Sequence, residues 1–138
     1  MKPVRFHSWN ISPNEAIAIQ NNLREKIVFS SISNDIQHIG GTAVAFDAGK
    51  NIIHAALTIL KYPSLEVVEQ NGVTQEITFD YISGLLTFRE GAPLMSLFRK
   101  TSQDIDLIVF HSHGQSHPRK FGLASHLGVL LDVPSIGV

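Results

Sequence analysis

Cysteine is missing altogether from the 138 residues. That excludes disulfides and thiolate metal sites, and it fits a reducing cytoplasm, the location expected for this chain. Long apolar runs are missing too. None approaches the roughly 20 residues that a membrane-spanning helix needs, so no membrane partner is expected. The opening MKPVRFHSWN lacks the apolar core of a secretory signal. No charge of one sign dominates: the formal net charge is −1, so affinity for nucleic acid would have to come from a local basic patch. Repeats, low-complexity tracts and linkers are absent. What remains is 43% hydrophobic and 17% charged. That is the composition of a soluble globular protein, and the length fits a single domain, residues 1–138, with its own core.

The patterning is that of an α/β chain. Ser12 as N-cap, Pro13 at the first helical position and Glu15 at capping-box spacing predict a helix over 13–28. Residues 30–37 are a polar connection. His38–Asp47, small and β-branched, reads as a strand. After a turn at Ala48–Asn51, Asn51–Leu60 reads as its return partner. Leu65–Glu69 is a third strand, expected to end at Asn71–Gly72, and Ile77–Tyr81 either extends the sheet or forms a loop. Leu85–Lys100 is a helix in which Pro93 should cause a break, because proline removes a hydrogen bond and crowds the preceding turn. Leu107–Phe110, a helix over 122–131 and a short strand at Ser135–Val138 complete the order. Strand–helix–strand crossovers near the end imply parallel pairing there. The expected fold is a mixed sheet of about five strands flanked by helices.

The most informative stretch is Asp106–Leu127, DLIVFHSHGQSHPRKFGLASHL. A buried strand leads into a turn that holds His111, His113, Gly114 and His117, followed by Pro118 and the basic pair Arg119–Lys120. From Gly122 the spacing of Leu123, Leu127, Leu130 and Leu131 is helical. Such a turn, at the carboxyl end of a strand, is where α/β sheets place their chemistry.

His113, Gly114, His117, Pro118, Arg119, Gly122, Ala124, Ser125 and His126 match, in order, the Asp-Gly-His-Gly turn and His-Pro-Arg segment of a known family. Lys61–Leu65, Tyr81–Ile82 with Gly84, Phe88–Glu90, and Pro134 with Ile136–Gly137 match three further blocks. The chain therefore resembles the endonuclease V family, deoxyinosine-directed nucleases of nucleic-acid repair, over roughly residues 13–138. The resemblance implies a ribonuclease-H-like fold and cleavage of inosine-containing DNA or RNA. It also implies Mg2+ held by three carboxylates, on the first strand, on the helix after the tyrosine loop and at the end of the fourth strand. The family pattern runs on past Val138 with a lysine and a histidine that complete its site, so part of the C-terminal fold is expected to be missing.

The chain departs from that pattern where the chemistry is done. Glu90 holds its family position, but Ala43 and His111 stand where the other two carboxylates belong. Asp47 lies on the same side of the strand as Ala43 but about 13 Å along it, too far to replace the missing ligand. Imidazole suits zinc, copper, nickel or iron rather than magnesium. His111, His113 and His117 with Glu90 could therefore form a transition-metal site. The preferred alternative is that these histidines are remnants, with His113 and His117 retained for hydrogen bonds in the turn. By resemblance Glu90 and His117 are retained catalytic positions, and magnesium would be held weakly, if at all, by Glu90.

In the family, prolines flank the tyrosine–isoleucine pair of a strand-separating wedge. Asp80 and Ser83 replace them, which should loosen the loop. Tyr81 and Ile82 could still stack on a base, or Tyr81 could lie half-buried under the loop. With Gly84, His113 and Gly114, the cations of Arg119 and Lys120 complete the expected nucleic-acid surface, through phosphate contacts. A solvated helix entrance is the competing reading of that basic pair. The expectations are thus an impaired nuclease-like protein that binds inosine-containing or single-stranded nucleic acid weakly, a non-catalytic structural or regulatory module, or an active nuclease with an unusual metal. A homodimer or higher oligomer joined through residues 129–138 is expected, because the final strand leaves an apolar patch uncovered.

Overall fold

A computed structural model describes residues 1–33 and 35–138. The elements run α1 (Pro13–Arg24), β1 (His38–Asp47), β2 (Ile52–Lys61), β3 (Val67–Glu76), α2 (Leu86–Lys100), β4 (Leu107–Phe110), α3 (Leu123–Leu131) and β5 (Ser135–Gly137). The five strands form one sheet in the order β3-β2-β1-β4-β5. β1, β2 and β3 are an antiparallel meander, and β4 joins β1, and β5 joins β4, in parallel. This is the mixed α/β sheet that the sequence implied.

Alternation decides which face is buried. Ile53, Ala55, Leu57 and Ile59 of β2 are buried while His54 and Ala56 are exposed. Ile108 and Phe110 of β4 add to the buried set. α2 brings Leu94, Leu97 and Phe98 onto that core, and α3 brings Leu123, Leu127 and Leu130. A second cluster joins Ala16 of α1 to Phe79, Leu85 and Phe88, with Trp9 and Ile82 packed against it.

Three expected boundaries are corrected. α1 caps as expected, with the Ser12 hydroxyl accepting from the Glu15 amide, but it ends at Arg24 rather than near Val28. Shorter turn bonds from Lys26 to Leu23 and from Ile27 to Arg24 replace the helix, and Val28 and Phe29 are exposed. β3 runs through Asn71–Gly72 to Glu76, because these residues pair with Leu57 and Ala56 of β2. Ladder bonds satisfy backbone groups that a turn would have left to water, and this outweighs the weak strand preference of Asn and Gly. Pro93 does not interrupt α2. An interior proline costs roughly 3 kcal/mol, whereas burying a Leu or Phe side chain contributes about 1.5–3 kcal/mol. Leu94, Leu97 and Phe98, all at most 1% exposed, follow it directly on the core face.

Candidate metal and nucleic-acid site

The last parallel pair between β1 and β4 is Thr42 with Phe110. Ala43 is the next residue of β1, and His111 is the first residue beyond β4. Glu90 reaches the same place from α2, so all three positions line one cavity of about 60 Å³, closed by Thr42, Val44, Leu94 and Leu123. Glu90 is only 8% exposed. Burial raises its carboxyl pKa to about 7, with the Arg89 guanidinium pulling weakly the other way. Near neutrality this carboxyl is therefore divided between its acid and its anion.

This donor set does not fit magnesium. One carboxylate, a methyl group and an imidazole replace three carboxylates, and hard divalent cations want oxygen. Among the described residues no group of three or more His, Asp or Glu side chains gathers around a point where an ion could sit, an arrangement that goes with the preferred reading of these histidines rather than with the transition-metal alternative. His117 explains part of this. Its Nδ1 accepts from the Arg119 and Phe121 amides at 3.1 and 3.3 Å, and its Nε2 lies 2.7 Å from the Gly84 carbonyl. Two donors on Nδ1 fix the proton on Nε2, which donates to Gly84. Burial lowers the ring's pKa, opposed by the Gly84 bond and aided by Arg119 and His113. Both nitrogens are engaged in shaping the turn, so the ring has no lone pair free for a metal or a proton. His113 contributes its backbone: its carbonyl accepts from Ala124 and that of Gly114 accepts from Gly122. The side chains of His111 and His113 are exposed.

The Gly84 carbonyl is a junction. Besides His117 it accepts from Gln20 Nε2 at 2.9 Å and Arg119 Nη2 at 2.9 Å. Arg119 Nε donates to Gln20 Oε1 at 2.6 Å, and Arg24 reaches the Arg119 carbonyl. Gly84 sits at φ +82°, where a Cβ would lie 2.7 Å from Arg119 Nη2. The guanidinium of Arg119 thus faces inward, and Lys120 is the exposed cation of the pair.

Upstream, Tyr81 is 71% exposed, not half-buried, while Ile82 packs on the second cluster. Arg89 lies over the Phe46 ring at 4.8 Å and donates to the Phe79 carbonyl at 3.0 Å. The sequence reading missed Gln20. Its signal was the four-residue spacing from Ala16, which places both on the buried face of α1. It also gave His126 no role. That ring is fully buried among Phe88, Phe121, Trp9 and His7, with its Nε2 2.7 Å from His7 Nε2.

Residues 21–138 match the family model of endonuclease V. The chain belongs to the endonuclease V family. It is 41% identical over 134 residues to endonuclease V of Gloeobacter violaceus, covering 96% of this chain and 54% of that protein. With endonuclease V of Nostoc punctiforme it shares 37% over 139 residues, covering 100% and 63%. The chain thus spans little more than half to under two thirds of these curated relatives. Among solved structures, endonuclease V of Streptomyces avermitilis superposes with a TM-score of 0.87 at 35% identity, covering 94% of this chain and 58% of that one. Ciona intestinalis endonuclease V, solved with a 24mer DNA containing an inosine followed by a ribo-adenosine, superposes at 0.82 with 27% identity, covering 90% and 56%. The mixed five-strand sheet is therefore the endonuclease V sheet, and the three positions around the small cavity are those the resemblance assigned to its metal site. No helix among the described residues is long and apolar enough to cross a membrane.

Proposed function

We propose that this chain is a nucleic-acid-binding member of the endonuclease V family that does not cleave by the family's magnesium chemistry. The observation that carries the reading is the makeup of the cavity, where Ala43 and His111 leave Glu90 as its one carboxylate. A lone carboxyl with its pKa near 7 neither concentrates a divalent cation nor offsets charge on a transferring phosphoryl group. The ligand class is inosine-containing or other single-stranded nucleic acid, held weakly. Tyr81 supplies a face for a base and Lys120 a phosphate contact. Ciona endonuclease V bound to inosine DNA supports the ligand class. The test is paired: cleavage of inosine-containing strands with magnesium and manganese, and binding of the same strands without metal. Binding without cleavage is expected. A metal-dependent product that disappears in Glu90→Ala would overturn the reading.

A second reading, self-association, is favoured by one feature. Val28, Phe29, Ile136 and Val138 are all exposed around a groove of about 630 Å³ beside the 112–116 turn. A second copy of the chain seated there gives a dimer mass in light scattering, and Ile136→Glu would return it to the monomer.

A further inference from the structure

The loop that carries Tyr81 lacks both family prolines, yet it is tied at each end by side chains from elsewhere in the fold. At its start, the Phe79 carbonyl accepts from Arg89 of α2. At its end, the Gly84 carbonyl accepts from Gln20 of α1 and from His117 and Arg119 of the turn before α3. Gln20 is fully buried and bridges two partners, donating to Gly84 and accepting from Arg119. Its side chain therefore fixes the distance between the loop and the basic turn. Along the loop Phe79 is buried and Ile82 packs on the second cluster, while Asp80, Tyr81 and Ser83 are exposed and Tyr81, at 71%, is its one exposed aromatic. An exposed aromatic on a loop closed at both ends has little conformational freedom to lose when a base stacks on it.

We infer that Gln20 and Arg89 are positioning residues for base stacking on Tyr81, doing with hydrogen bonds what flanking prolines do by fixing φ. The inference rests on the nucleic-acid reading above and adds the residues that make it work. Arg89 has a further restraint, since its guanidinium lies over Phe46 and cannot swing away without losing that contact. Neither residue touches the ligand.

The test measures fluorescence anisotropy of a labelled single-stranded DNA oligonucleotide with one central deoxyinosine. Tyr81→Ala should weaken binding roughly tenfold, the scale of one lost stack. Gln20→Leu should weaken it several-fold with the salt slope unchanged, because no phosphate contact is removed. Gln20→Glu keeps the acceptor for Arg119 but loses the donor to Gly84, and should fall between. Arg89→Lys keeps the charge and shortens the reach to Phe79, and should behave as Gln20→Glu does. The deciding variant combines Gln20→Leu with Tyr81→Ala: it should bind no more weakly than Tyr81→Ala alone. Additive losses would make Gln20 a general structural residue and overturn the inference. Hydrogen exchange gives a second readout that needs no ligand. The amides of residues 81–83 should exchange about tenfold faster in Gln20→Leu or, if that variant folds poorly, in Gln20→Glu, with β1 and β4 unchanged; exchange at wild-type rates overturns the clamp. If the wild-type protein does not bind the oligonucleotide, the nucleic-acid reading and the positioning role built on it fall together, while hydrogen exchange still decides whether the loop is clamped.

Discussion

The small cavity between the middle of β1, the end of β4 and α2 and the junction at Gly84, just before α2, are built in opposite ways. The cavity brings three family positions together and finds one carboxyl, a methyl and an exposed imidazole. The junction brings three donors from two other elements onto one carbonyl and binds them further to each other. Scaffold and chemistry are separable here. The loop and the turn are hydrogen-bonded to each other across elements, while the three cavity positions supply a single carboxyl.

The contrast can be broken first from the side of the frame. A Cβ at Gly122 would sit 2.3 Å from the His113 carbonyl oxygen, backbone against backbone. Gly122→Ala should therefore cost about 3 kcal/mol in urea unfolding, the upper range for overpacking. Gly84→Ala combines a left-handed φ with a clash against the movable end of Arg119. It should cost about 2 kcal/mol and release the Tyr81 loop.

The cavity should behave inversely, gaining from substitution. Glu90 has its pKa raised by burial to about 7, so the folded state holds that proton more tightly than the unfolded chain. The contribution is complete below the ordinary carboxyl pKa and is lost as pH climbs through about 7. Glu90→Gln should then raise stability at pH 8 by about 3 kcal/mol and do nothing at pH 4. A loss at pH 8 would mean that the carboxylate has a partner. The double change Ala43→Asp with His111→Asp sharpens the contrast from the other direction. It should create divalent-ion binding detectable by calorimetry and lower metal-free stability by about 1 kcal/mol through like-charge crowding. Absence of heat with magnesium and manganese would show that the cavity lacks more than ligands.

The smallest effect belongs to the N-terminal segment. His7 Nδ1 bonds the Ser8 carbonyl, so its Nε2 accepts from His126 Nε2. Burial depresses both rings, and His7 and His117 press His126 further. Protonation favours the released segment. Docking is therefore complete above the ordinary histidine pKa of 6.5 and weakens as pH falls below it. Trp9, the only tryptophan, packs against both histidines and Phe88. Its emission should shift to the red below pH 6.5, and not in His7→Phe.

Much of the sheet was legible because strand patterns are local. β1 and β4 fall where their apolar runs place them, and α3 starts one residue after Gly122 as its leucine spacing predicts. α1 ends early through local turn bonds, but the failures in β3 and α2 are places where a distant partner overrides a local preference. Asn71–Gly72 reads as a turn until β2 is beside it. Pro93 reads as a break until the core holds the helix on both sides of it. At the site, motif order placed Ala43, Glu90 and His111 together, and His117 makes the hydrogen bonds in the turn that the preferred reading gave it, but its partner could not be named from sequence. Its role depends on Gly84, a residue 33 positions away. The spacing from Ala16 could have placed Gln20 on the buried face of α1 but not named its partners, and Arg119 was read as a free cation because the partner that turns it inward is 99 positions distant.

Those separations set the order in which the molecule assembles. Contacts spanning 33, 64 and 99 residues converge on one carbonyl and its neighbours, and each closes a loop whose entropy cost falls due before the bond forms. On those separations α1 is expected to dock after the sheet has brought residue 84 beside residue 119. Its docking therefore belongs to the downhill side of the folding barrier. Removing the Gln20 side chain should leave the folding rate nearly untouched and speed unfolding, which would make the junction at Gly84 a determinant of how long the native state lasts rather than of how fast it forms.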